Sequence, residues 1–263
     1  YNSLNQLTKS QTPDGGTAMF YYNSAQQMRF SQNDYQATSN DYAYTRYDEL
    51  GRTVEAGVTN ITSFQTYYDA NKDDNSYPQS TALNPNYEVV RSFYEEQPLD
   101  LLATLGWNPR DLNNRIAAVS FYEVYEGDDD DYSSASFYDY DIHGNVQKYL
   151  CDNPAMGEDE RYKFMRYEFE LYSGKILKSI YQEHEQDQFI HKYNYDDDNR
   201  ILSVETSRNG VDWDTDAEYF YFLTGSLARI ELGDDKVQGT DYLYNLNGWL
   251  KGVNSNTLQA RRD

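Results

Sequence analysis

The carboxylates of this 263-residue chain are its first candidates for chemistry. Gly127-Asp128-Asp129-Asp130-Asp131 concentrates four of them, and a hard cation such as calcium takes several carboxylate oxygens. Consecutive residues do not converge on one ion, so the run reads as the solvated tip of a hairpin. Asp212, Asp214 and Asp216 imitate the start of an EF-hand loop more closely. Ala217 stands where that loop needs Gly, and Leu223 where it needs a bidentate Glu. In a strand the three carboxylates would share one face, which leaves a weak surface cation as the sharper reading. His143 occupies a variable turn position, whereas His184 and His191 lie in a polar stretch with Glu183, Glu185 and Asp187. Zinc needs convergent soft ligands, and the single Cys151 is distant from these histidines in sequence. No Gly-x-Ser-x-Gly elbow and no glycine-rich phosphate loop is present. Asn60-Ile61-Thr62 fits a glycosylation sequon, a match that arises readily by chance. The sequence therefore predicts no catalytic residue, no cofactor and no resident metal.

What it does carry is a returning phrase. It reads Tyr47-Asp48-Glu49-Leu50-Gly51-Arg52, then Tyr140-Asp141-Ile142-His143-Gly144-Asn145, then Tyr195-Asp196-Asp197-Asp198-Asn199-Arg200. Two further copies run Tyr221-Phe222-Leu223-Thr224-Gly225 and Tyr244-Asn245-Leu246-Asn247-Gly248. Worn copies begin at Tyr1 and Tyr22. From Phe169 through Tyr195 and Tyr221 to Tyr244 the intervals are 26, 26 and 23 residues, the mark of one supersecondary unit repeated. Each unit reads as a β-hairpin. Apolar and polar residues alternate before the turn, as in Met165-Arg166-Tyr167-Glu168-Phe169, so one face of the strand is expected dry and the other wet. Four residues after the leading Tyr stands Gly or Asn, the residues that most readily take positive φ. A β-branched residue at Gly51 or Gly144 is expected to cost on the order of 1–2 kcal/mol. The copy at Phe169 has its Gly174 one residue late, which implies a longer turn or a bulge.

The phrases at Tyr47 and Tyr140 match a Tyr-Asp-x-x-Gly-Arg/Asn signature, and the chain resembles the YD-repeat, or Rhs, family from Tyr1 to about Ser255, with a weaker middle. The stretch Tyr242-Leu243-Tyr244-Asn245-Leu246-Asn247-Gly248-Trp249 looks like one typical of large secreted bacterial members. The resemblance implies a long strip of hairpins that spirals into a hollow shell, in many members around a toxic C-terminal cargo. No residue here matches the autoproteolysis site some members possess, and none matches a toxin.

Composition narrows the alternatives. The 28 Tyr against 11 Phe and 3 Trp suit half-buried pleated surfaces, where a ring packs on its cross-strand neighbour and its hydroxyl finds a polar partner. The rings are expected to act as rungs between hairpins; the rival use is as stacking platforms for sugars or bases. A formal charge of −22 excludes generic nucleic-acid binding, which needs clustered cations. No segment approaches the about 18 apolar residues of a membrane-spanning helix, and no signal peptide is visible.

The resulting expectation is an all-β array of repeated hairpins forming a curved or spiralling strip, a piece of a longer protein. Residues 1–60 are read as YD-repeat hairpins, 61–136 as irregular hairpins with decorated loops, and 137–263 as regular hairpins again. The short run Leu99-Asp100-Leu101-Leu102-Ala103-Thr104-Leu105 is read as one or two helical turns. The expected role is structural: Tyr47, Tyr140, Tyr195, Tyr221 and Tyr244 pack hairpin on hairpin, while Gly51, Gly144, Asn199, Gly225 and Gly248 set the turns. By resemblance, the partners are the remainder of the parent chain, an enclosed C-terminal toxin and a secretion or surface assembly of a bacterium. The alternative is a surface recognition module or carbohydrate-binding scaffold.

Overall fold

A computed structural model describes residues 1–96, 105–158, 160–236 and 238–254. The helical turns expected at Leu99–Thr104 lie outside the described residues. Among those described, the chain is almost wholly antiparallel β-structure. The strands are β1 (Lys9–Thr12), β2 (Gly16–Tyr22), β3 (Met28–Asn33), β4 (Asp41–Tyr47), β5 (Thr53–Asn60), β6 (Asn86–Tyr94), β7 (Ile116–Tyr125), β8 (Ser134–Tyr140) and β9 (Val146–Asp152). They continue as β10 (Tyr162–Phe169), β11 (Ile176–Tyr181), β12 (Phe189–Tyr195), β13 (Ile201–Ser207), β14 (Asp214–Tyr221), β15 (Leu227–Leu232), β16 (Gln238–Tyr244) and β17 (Leu250–Val253). Two helices interrupt them, α1 (Asp34–Ala37) and α2 (Phe64–Asn71).

The chain divides into two compact units, Tyr1–Gly144 with Tyr149–Tyr162, and Asn145–Lys148 with Lys163–Asp263. In unit one each strand from β1 to β8 pairs antiparallel with the next. In unit two the same holds from β10 to β17. Among the described residues these pairings join neighbours in sequence, as expected when each hairpin buries its faces against the adjoining ones.

One local geometry recurs. The N–H of the residue after the leading Tyr bonds the carbonyl four residues on, at 2.9 Å for Asp48 to Arg52, Asp196 to Arg200, Phe222 to Ser226 and Asn245 to Trp249. A second bond closes the turn inside it, from Gly51 to Asp48, Asn199 to Asp196, Gly225 to Phe222 and Gly248 to Asn245. The closing residues take positive φ, +80° at Gly51 and +69° at Asn199. The worn copies follow suit with Asn5 at +60° and Gln26 at +65°, so the geometry survives loss of the glycine. Immediately after the turn the register slips by one: Tyr47 opposes Thr53 while Arg46 opposes Glu55, and Tyr195 opposes Ile201 while Asn194 opposes Ser203. The same bulge follows Tyr22, Tyr94, Phe169, Tyr221 and Tyr244. At Phe169 the turn is also longer, closing from Glu170 N–H to the Lys175 carbonyl. The bulge is thus a property of the repeat, and the late glycine lengthens only the turn.

The two faces of the hairpins differ. In unit one the face opposite the leading tyrosines is covered, and Phe30, Tyr42, Tyr44, Ile61 and Phe64 form a buried cluster there. Helix α2 supplies the lid, with Phe64, Tyr67 and Tyr68 at i, i+3 and i+4 on one side of the helix. The Phe64 ring stacks on Tyr42 at 3.9 Å and meets Tyr21 edge-on at 4.6 Å. In unit two the corresponding face is a charge ladder. Glu168 pairs with Lys178, Lys192 with Glu205, and Arg229 with both Glu231 and Asp241. Alkyl stems of these residues cover the sheet, so β10 is half-buried along its whole length rather than dry on one side and wet on the other.

Candidate functional site

Six leading tyrosines form a spine that ties a hairpin to the one before it. The Tyr195 hydroxyl donates to the Ile176 carbonyl, Tyr140 to Ile116 and Tyr221 to Ile201, each at 2.8 Å. Tyr47 donates to Met28 and Tyr22 to Leu7, both at 2.9 Å. Except for Leu7, which lies ahead of β1, the acceptor is the first residue of the return strand in the preceding hairpin. The residue just before that acceptor is often basic, and its cation lies over the same tyrosine ring. Lys175 sits over Tyr195 at 4.6 Å, Arg200 over Tyr221 at 4.7 Å and Arg115 over Tyr140 at 5.3 Å. Each ring is therefore held at its hydroxyl and across its face. Burial pushes the hydroxyls of Tyr47, Tyr140, Tyr195 and Tyr221 above the ordinary phenol range.

Two elements of this device escaped sequence reasoning. The residue after the leading Tyr organises the turn: Asp196 Oδ1 accepts from the N–H of Asp198 and of Arg200, and Asp48 Oδ1 from Leu50 and Arg52. Its other oxygen takes the Arg side chain, Nε to Oδ2 at 2.7 Å for Arg200 and 2.6 Å for Arg52. The backbone N–H of Arg200, with its guanidinium adding to it, holds the Asp196 carboxyl below its usual range. The second missed element is Tyr94. Its hydroxyl donates to the Thr53 carbonyl at 3.2 Å and Arg52 lies 4.1 Å over its ring, so it is a leading tyrosine like the others. Its turn is replaced by a long insertion that closes from Glu95 N–H to the Arg115 carbonyl. The signal was available in Tyr94 and Arg115 but split across that insertion. Tyr244 departs from the rule: Ser226 occupies the basic position, and the ring meets Phe222 edge-on at 6.4 Å instead.

Tyr195→Phe removes only the hydroxyl and is expected to destabilise unit two by about 1 kcal/mol. Tyr195→Ala also loses the ring beneath Lys175 and is expected to cost about 2–3 kcal/mol. Urea unfolding monitored by circular dichroism separates the two, and equal values for both variants would show that the ring carries nothing.

The candidates for metal chemistry are not brought together. Asp129 is engaged by Arg91 and by the Tyr125 hydroxyl, and Asp128 accepts from the Asp130 N–H. Asp212 lies ahead of β14 and takes the Asn209 amide, while Asp216 accepts from Thr206, so the three carboxylates do not share a strand face. Among the described residues no group of three or more His, Cys, Asp or Glu could hold a metal ion. The Asn60 amide nitrogen donates to the Ser39 carbonyl and to Asp41. No described helix is long and apolar enough to cross a membrane.

Unit one also holds a buried polar network. Glu55, 1% exposed, accepts from the Tyr44 hydroxyl at 2.7 Å and from Arg46 at 2.9 Å, and Arg91 Nε lies 3.1 Å away. Asn86 donates to the Tyr44 hydroxyl from the next strand. Arg29, fully buried, is the extra residue of its bulge and turns its guanidinium onto the Lys72, Asp74 and Tyr77 carbonyls and the Asn75 side chain. Burial, with neighbouring Arg46 adding to it, pushes the Arg29 guanidinium below its ordinary value. These groups stitch the loop between α2 and β6 to the sheet.

The architecture these elements define is an antiparallel hairpin array, a fold shared with segments of Tc toxin chains. Crystal structures of TcdB2–TccC3, one of them solved with Cdc42, match 93–94% of this chain with a TM-score of 0.60 at 11% identity. The Photorhabdus luminescens Tc holotoxin pore matches 95% at the same score and identity. The chain spans only about a tenth of the length of these structures, 10–11%. No family model and no curated protein matches the sequence.

Proposed function

We propose that this chain is a non-catalytic wall segment of a YD-repeat shell in a secreted or cell-surface bacterial protein, which encloses a C-terminal toxin and helps deliver it. The observation that carries this reading is the tyrosine spine. At Tyr22, Tyr47, Tyr94, Tyr140, Tyr195 and Tyr221 it anchors a hairpin to the preceding one through the same hydroxyl and, at four rings, the same cationic lid. Such a device serves extension along a sheet rather than convergence of polar groups on a reacting atom. The fold shared with segments of TcdB2–TccC3 supports the same reading, as does a solved form of that protein described as lacking a hypervariable C-terminal region. In this role the partners are the rest of the parent chain, the enclosed cargo and an export or surface assembly.

Intact mass of the natural gene product, with peptide mapping beyond Asp263, tests the proposal. The expected product is several times longer, with a C-terminal segment that resists protease until the hairpin array is unfolded. A product scarcely longer than this chain, or a C-terminal segment cut at once in the folded protein, would overturn encapsulation.

A further inference from the structure

We propose that Asn247, in the turn between β16 and β17, is a site of spontaneous succinimide formation whose isoaspartyl product unpairs β17. This is independent of the wall role. The chain contains two Asn-Gly pairs, Asn209-Gly210 and Asn247-Gly248, and both asparagines are exposed. Glycine has no Cβ to shield its backbone nitrogen, so in both pairs that nitrogen can approach the side-chain carbon before it. The structure separates the two.

Asn209 is locked. Its Oδ1 accepts from the N–H groups of Val211 and Asp212, each at 2.9 Å, and its Nδ2 donates to Asp212 Oδ2 at 2.8 Å. The buried Ser207 hydroxyl adds a contact to Oδ1 at 3.2 Å. Turning Cγ onto the Gly210 nitrogen breaks these bonds. The Asn247 side chain makes no hydrogen bond among the described residues; its backbone N–H donates to Asn245 Oδ1 at 2.9 Å. Both glycine N–H groups are engaged, Gly210 by Ser207 Oγ at 2.9 Å and Gly248 by the Asn245 carbonyl at 3.0 Å. The difference therefore lies in the side chains. Space favours the same site: a Cβ at Gly248 would meet nothing within 4 Å, whereas at Gly210 it would meet Ile190 Cδ1 at 3.6 Å.

The Gly248 nitrogen gives up its proton to hydroxide from solvent and bonds to Asn247 Cγ. The Cγ–Nδ2 bond breaks, Nδ2 leaves as ammonia, and a succinimide ring closes. Water then opens the ring. Addition at Cγ yields aspartate, and addition at the main-chain carbonyl carbon yields isoaspartate, whose backbone runs through Cβ and Cγ. Aspartate fits this turn. Asp198 stands at the same place ahead of Asn199, with its N–H on Asp196 Oδ1 as that of Asn247 is on Asn245 Oδ1. Isoaspartate does not fit. Its extra backbone carbon falls inside the turn closed by Gly248 N–H to the Asn245 carbonyl and by Asn245 N–H to the Trp249 carbonyl. Strand β17 has four residues, and it pairs with β16 through Val253, Gly252 and Leu250, so little else holds it once the turn is distorted.

Incubation of the full chain in mildly alkaline buffer, with peptide mapping that resolves aspartyl from isoaspartyl forms, tests the inference. Asn247 is expected to convert at least about tenfold faster than Asn209, because freeing Asn209 means breaking several hydrogen bonds. In concentrated urea the two rates are expected to converge, since the lock is structural. Hydrogen exchange is expected to show β17 losing protection in the isoaspartyl form and keeping it in Asn247→Asp. Equal rates in the folded protein, or a difference that persists in urea, would overturn the site. An isoaspartyl form whose β17 stays as protected as in the unmodified chain would overturn the unpairing.

Discussion

Replacing Glu55 by Gln is expected to destabilise unit one by about 3–5 kcal/mol, the usual consequence of removing one member of a buried ionic network. Glu55 is 1% exposed, and its two oxygens serve Tyr44 and Arg46 from β4 and Arg91 from β6, the strands on either side of its own. Gln cannot accept at both ends, and its amide would face guanidinium groups that are themselves donors. Arg46→Gln is expected to cost less, because Arg46 is 22% exposed and its loss leaves Glu55 with Tyr44 and Arg91. Chemical denaturation followed by hydrogen exchange reads both effects. The exchange pattern should show β4, β5 and β6 losing protection together in the Glu55 variant, while β12 to β16 keep theirs. A Glu55→Gln protein within about 0.5 kcal/mol of wild type would mean that the arginines swing out to water and organise nothing.

Alkali is expected to unfold the protein cooperatively as the pH rises from about 10 towards 12. Burial pushes the Tyr122 hydroxyl up to about 12, and it donates to the Asp129 carbonyl at 2.9 Å. Burial likewise raises Tyr67 to about 12, with Tyr77 adding to it, and raises Tyr44 further, with Glu55 adding to it. A folded-state value above the unfolded one, about 10, stabilises the fold fully below pH 10. That contribution is lost as the pH climbs through the folded-state value, because the unfolded chain gives up the proton first. For Tyr122 alone the rise from about 10 to about 12 corresponds to roughly 3 kcal/mol. A stopped-flow pH jump should show tyrosinate absorbance rising together with loss of β-sheet dichroism. Smooth titration near pH 10 with the dichroism retained would show instead that the rings are open to water.

The hairpin array was legible because its determinants are local. Tyr195-Asp196-x-x-Asn199-Arg200 contains in six consecutive residues the side chain that packs, the acceptor that orders the turn, the residue that takes positive φ and the cation that closes it. Even Gln26, which no turn preference favours, takes the required φ once Asn23 is placed to accept from Gln27. What pattern reading missed lay wherever a partner is distant in sequence. Helix α2 has a weak helical pattern of its own, and it forms where Phe64, Tyr67 and Tyr68 can cover rings presented by β2, β3 and β4. Tyr94 belongs to the spine, but its turn is opened by an insertion that hid the spacing.

The strand pairing inside a hairpin and the position of the regular turns were set by the sequence alone, since they depend on residues within one hairpin. Only the tertiary structure decided which face of each hairpin is covered, and with it the fates of Glu55 and Arg29. A carboxylate or hydroxyl reads the same in a sequence whether water or a helix lies over it. Burial is a property of what packs above the sheet, and in unit one that cover comes from residues that follow no repeat.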